Sequence, residues 1–103
     1  MPRMARVAPT PVRLDFPGHE IVAAGLGDLA VGRESEAALV VAMAAPRLRR
    51  LGLHVPPSPV DVPGHRLYDL LAQDGGGSAH SRYNALIGRV VSYARAAEHA
   101  TAR

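Results

Sequence analysis

Cysteine is absent from this chain. That excludes disulfides, thiolate metal sites and a Cys nucleophile, and it leaves the redox compartment open. Lysine is absent too, so all twelve basic residues are Arg. Only four side chains are Phe or Tyr, too few to stack a series of bases along a single strand. The longest apolar run, Ala37 to Pro46, falls far short of a bilayer span, so no membrane partner is expected. The opening MPRMARVAPTPVR is basic and lacks the apolar stretch of a signal peptide, so a cytoplasmic protein is the expectation. Gly25 to Gly32 is no phosphate loop, because the Gly-Lys-Ser/Thr ending is missing. Neither Gly-x-Ser-x-Gly nor His-Glu-x-x-His occurs. No residue takes a catalytic, cofactor or metal role on these grounds.

What is present is alanine, at 18 of 103 positions, with glycine, proline and arginine. That mixture fits a GC-rich coding sequence. A chain of this length makes one domain with one modest core. An Ala-rich core is thin and favours close helix–helix approach. The net charge of +3 permits nucleic-acid contact without requiring it.

The chain spells Asp-apolar-Pro-Gly-His-x-aliphatic twice, at DFPGHEI from Asp15 and DVPGHRL from Asp61. Proline suits the first residue of a helix, where its missing N–H needs no partner. Pro17 and Pro63 are therefore expected at N1, with His19 and His65 at N3 and Phe16 and Val62 outside. At N3 the dipole favours a neutral imidazole, although packing or capping is the plainer reading. Helical spacing follows both motifs, through Ile21, Ala24, Gly25 and Leu29, then through Leu67, Leu70 and Leu71. The first helix is expected to end near Val31 and the second near Asp74, before the glycine linker 75–77.

A helix starting near Arg33 or Glu34 runs through EAALVVAMAA, which is apolar all round. Such a helix is central to a bundle or sits at an interface. Pro46 interrupts it, giving a kink or a new short helix closed by Gly52. The stretch 53–62 reads as a Pro-rich connector. The last helix is expected over about Ala79 to Ala100, capped by Ser78 or Ser81. Its apolar stripe is Ala79, Tyr83, Leu86, Ile87, Val90, Ala94 and Ala97. The expected fold is all-α: a small bundle of four main helices plus a short helix after Pro46. Residues 1–13 form an extended arm and 14–103 one helical domain. Segments 15–52 and 61–100 read as two related helical hairpins. Six of eighteen positions match between Pro11–Asp28 and Pro57–Asp74.

The candidate contact residues are Arg47, Arg49 and Arg50 near the end of the short helix and Arg82 and Arg89 on the last one. Arg47 and Arg50 share a face, and Arg49 points elsewhere. With Arg3, Arg6 and Arg13 of the arm these side chains offer a basic surface for phosphate. They also suit the negative end of a helix dipole. His80, Tyr83 and Asn84 form a candidate polar site beside the glycine linker, with Tyr68 facing Tyr83. Arg49-x4-His54 resembles the Arg-x(4–6)-His motif of HEPN ribonucleases, which are small helical dimers. There the motif lies on one helix, whereas Gly52 should break the helix here, so no role is carried over.

The expected function is a non-catalytic, regulatory helical interaction module that pairs with itself as a homodimer or with another protein. The alternatives are nucleic-acid binding through the Arg surface and a HEPN-type RNase using Arg49 and His54.

Overall fold

A computed structural model describes residues 10–73 and 77–101. Arg3 and Arg6 of the expected arm, and most of the Gly-rich linker, lie outside the described residues. The described residues form five helices and no strand: α1 (His19–Ala30), α2 (Glu36–Met43), α3 (Ala45–Arg50), α4 (Pro63–Gln73) and α5 (Ala79–Thr101). This is the all-α bundle of four main helices and one short one. No described helix is long and apolar enough to cross a membrane.

The two Pro-Gly-His motifs are used differently. Pro63 opens α4 at N1 as expected, and the Arg66 N–H reaches the Val62 carbonyl at 3.2 Å. Pro17 does not open α1. It sits in a turn, and Gly18 caps the helix with φ of 77°. His19 is therefore the first helical residue rather than the third. The cause lies across the bundle: Gly18 rests on the backbone of α5, where a Cβ would fall onto the Arg89 carbonyl oxygen. Only glycine meets both the positive φ and the close approach.

Two helix ends close alike. After α1, Gly32 has φ of 72°, and the Gly32 and Arg33 N–H groups reach back to the carbonyls of Leu29 and Asp28. After α3, Gly52 has φ of 94°, and the Gly52 and Leu53 N–H groups reach Arg49 and Leu48. These paired backward bonds around a left-handed residue satisfy the last carbonyls of a helix. Leu48 and Leu53, both buried, supply the accompanying apolar contact.

α2 begins at Glu36, later than the expected Arg33 or Glu34. Ser35 is the cap: its Oγ accepts from the Ala38 N–H at 3.0 Å and donates to Asp28 Oδ2 at 2.6 Å. The apolar helix is central. It packs against α1, α4 and α5, and Leu39, Val40 and Val41 are at most 2 % exposed. α1 comes especially close at Gly25, where a Cβ would run into the Val41 side chain and the Ala37 carbonyl. Pro46 starts α3 in its first turn, where a missing N–H costs little.

Residues 10–13 are irregular but anchored. The Thr10 N–H donates to the Gly52 carbonyl at 2.9 Å, and the Arg13 N–H donates to the Tyr93 hydroxyl at 3.0 Å. Phe16 meets the Tyr93 ring edge-on at 5.6 Å, and the Arg13 guanidinium lies 4.6 Å over Phe16. Tyr93, only 2 % exposed, thus ties the start of the chain to α5.

Candidate docking groove

The short α3 carries three arginines, and its geometry sorts them. Arg47 and Arg50 are three residues apart and share a face. Arg49 points the other way, donating through Nη2 at 2.8 Å and Nε at 3.3 Å to the Val55 carbonyl. It fastens the Pro-rich connector to α3. His54 lies beyond Gly52, exposed and off the helix. Arg49 and His54 do not share a helix, so the geometry of the HEPN motif is absent.

Arg47 crosses to α5. Its Nε and Nη2 donate to the two Glu98 carboxylate oxygens at 2.6 and 2.8 Å, the forked geometry that suits guanidinium and carboxylate. This hydrogen bond holds the Glu98 carboxyl below its ordinary pKa and lifts that of Arg47. The Arg47, Arg50 and Arg95 charges lower Glu98 further.

Between α3 and α5 lies a groove of about 320 Å³, open along one side. Its floor is apolar. α2 and the bend after it supply Val40, Met43 and Ala44, and α5 supplies Ile87, Val90 and Val91. Pro46, Arg47 and Arg50 form the α3 wall. Ile87 and Val91 are one turn apart on α5, and Arg95 continues the same row by a further turn. The groove is an apolar trough with positive charge concentrated at one end.

The other expected contact residues do not join it. Arg82 on α5 reaches Glu36 at 3.4 Å, beside α2. Arg89 stands exposed near Glu20 and Glu36, over a separate shallow hollow. Arg66 forms a forked pair with Glu34 at 2.7 and 3.0 Å, and Arg13 does the same with Asp15 at 3.0 and 2.8 Å. The described arginines are spread over several faces and mostly held by carboxylates. Of the arginines expected to form a basic surface, Arg13, Arg47, Arg49 and Arg82 are engaged within the chain, and Arg3 and Arg6 lie outside the described residues.

His80, Tyr83 and Asn84 are together at the start of α5. Asn84 Nδ2 lies 3.2 Å from His80 Nε2. Tyr83 is half-buried and meets Tyr68 edge-on at 5.3 Å, across the α4–α5 pair. A Cβ on Gly64 would stand 3.2 Å from the Tyr83 hydroxyl, so that group faces the first turn of α4. These contacts fasten α4 to α5. The three side chains line none of the hollows described here. No group of three His, Asp or Glu converges to hold a metal ion among the described residues.

Arg95, Val91 and Met43 escaped the sequence reading. The row Ile87, Val91, Arg95 is legible as an i, i+4, i+8 series on a helix. Met43 is not, because its exposure depends on how the bend at Ala44 turns α3 away. No protein family, curated protein or solved structure matches the chain.

Proposed function

We propose that this chain is a non-catalytic helical interaction module, and that it docks a partner protein in the groove between α2, α3 and α5. The observation that carries the reading is the groove itself: half-buried Met43, Ala44, Ile87 and Val91 over buried Val40 and Val90, with cations at its edge. Concave, mostly apolar sites with a few placed polar groups are where proteins take ligands. An apolar groove on a small bundle suits the helix-in-groove mode of recognition. The sequence offered a different reason, the all-round apolar α2. That helix is enclosed by α1, α4 and α5, so support for docking passes from α2 to the groove beside it. Nucleic-acid binding draws less support. Arg47, Arg49 and Arg82 of its five candidate side chains are engaged within the chain.

The test is a nitrogen-edited NMR titration of the protein with amphipathic helical peptides of acidic, neutral and basic composition. Shifts should cluster at Val40, Met43, Arg50, Ile87 and Val91. Val91→Trp, which plugs the trough from α5, should abolish them while far-UV circular dichroism stays unchanged. Shifts confined to other faces, or none with any of these peptides, would remove the docking reading.

A further inference from the structure

We propose that the groove's occupant is an acidic amphipathic helix of a partner protein. Its apolar side chains seat between α2 and α5, and its carboxylates meet Arg50 and Arg95. This rests on the docking reading above and adds the chemistry of the partner.

The charge balance at the site is the first argument. Arg47 takes both oxygens of Glu98, Arg50 lines the α3 wall of the groove, and Arg95 follows Val91 by one turn on α5. Arg50 and Arg95 are exposed, and neither has a hydrogen-bonded carboxylate among the described residues. The end of the groove therefore carries uncompensated positive charge beside apolar surface. An occupant with carboxylates next to apolar side chains complements both.

The second argument separates a partner from a second copy. Asp15, Asp28, Glu34, Glu36 and Glu98 each already hold an arginine. A second copy seated groove to groove would bring the same cationic cluster, and its described carboxylates not held by an arginine, Glu20, Asp61 and Asp69, lie outside the groove lining. Like charge facing like charge across that pairing disfavours it. The apolar floor argues against a nucleic-acid backbone, whose phosphates gain nothing from Met43, Ile87 and Val91.

Size is the third argument. From Ile87 to Arg95 α5 rises about 12 Å, a little over two turns. A helix lying along it places side chains i, i+3 or i+4, and i+7 over that length. A trough of about 320 Å³ holds two or three apolar side chains. That matches one face of a short helix and not a globular domain.

The test uses three fluorescein-labelled peptides of about four turns. All carry Leu at i, i+3, i+4 and i+7, with flanking Glu, Gln or Lys. Anisotropy should show the Glu peptide binding at least about tenfold tighter than the Gln peptide, with the Lys peptide weakest. The preference should fall as salt rises from about 0.05 to about 0.5 M. Arg50→Glu with Arg95→Glu should reverse the order, and Arg50→Gln with Arg95→Gln should level it. Arg89→Glu, an exposed arginine away from the groove, should leave the order intact. Equal binding of the three peptides would overturn the acidic occupant and leave groove docking standing. No binding by any peptide would remove both. A dimer on sedimentation that Val91→Trp dissolves would assign the groove to a second copy. A single-stranded RNA that outcompetes the Glu peptide at Arg50 and Arg95 would assign it to nucleic acid. Either result overturns the proposal.

Discussion

Glycine does opposite things at different places in this chain. Gly25 lets α1 press onto α2, and an added methyl group meets Val41 and the Ala37 carbonyl. Gly25→Ala should destabilise the fold by about 2 kcal/mol through overpacking. Gly27 and Gly88 lie in helices with nothing near a built Cβ, and neither has a positive φ. Gly27→Ala and Gly88→Ala should each stabilise by about 0.5–1 kcal/mol, because alanine costs the helix less backbone entropy. Thermal melts of the three variants test both signs, at roughly 4–8 °C per kcal/mol for a chain near this size. The sequence shows all three glycines inside helices and gives no means of ranking them. Their difference is set by which residue on another helix lies opposite. Tyr93 is a contrasting case. The stripe read from the sequence left it out, although it fits the row Leu86, Val90, Tyr93, Ala97 at i, i+4, i+7, i+11 spacing and is buried. Its bond to the Arg13 N–H, 80 residues away in the chain, was not legible in the sequence.

At the scale of elements, the helix boundaries follow local chemistry. The left-handed glycines after α1 and α3, the Pro at the start of α4 and the long stripe of α5 all act as their residues predict. Two boundaries depart from that, and each has a physical cause. Gly18 displaces Pro17 as the start of α1 because the backbone of α5 lies against it. Ser35 delays α2 because its hydroxyl serves both the Ala38 N–H and the Asp28 carboxylate. Ser35→Ala removes the cap and one hydrogen bond between α1 and α2. It should cost about 1–2 kcal/mol, measurable as a lower midpoint in urea with little change in slope. The candidate site was half legible. Arg47 and Arg50 share a face by spacing alone. The groove they edge depends on the angle at Ala44 and on where α5 crosses, and neither is written in a local pattern.

At the scale of the molecule, two forked ion pairs tie together segments distant in sequence, Arg47 to Glu98 and Arg66 to Glu34, and a third, Arg13 to Asp15, is a local staple. In each pair the arginine's hydrogen bond holds the carboxyl below its ordinary value, 4.5 for Glu98 and Glu34 and 3.8 for Asp15. A depressed folded-state value adds stability above the ordinary value, and that stability is lost as pH falls through the depressed one. The melting temperature should therefore hold from neutral pH to about 5 and fall steadily toward about pH 3. Glu98→Gln should flatten part of that slope. All three pairs are solvent-screened, so molar salt should shrink the effect.

The clasp between Arg13, Phe16, Gly18 and Tyr93 bears on how the chain is made as well as how it stands. Residues 13–18 find their hydrogen bond, ring contact and backbone seat on α5, a helix synthesised well after them. α2 likewise needs α5 to cover one of its sides. A growing chain can pair α1 with α2, but part of their apolar surface stays open until α5 has emerged. Nascent chains stalled before Tyr93 emerges should be open to protease and held by chaperones, and those released beyond it should be resistant. The closing of these helices therefore waits on the emergence of α5.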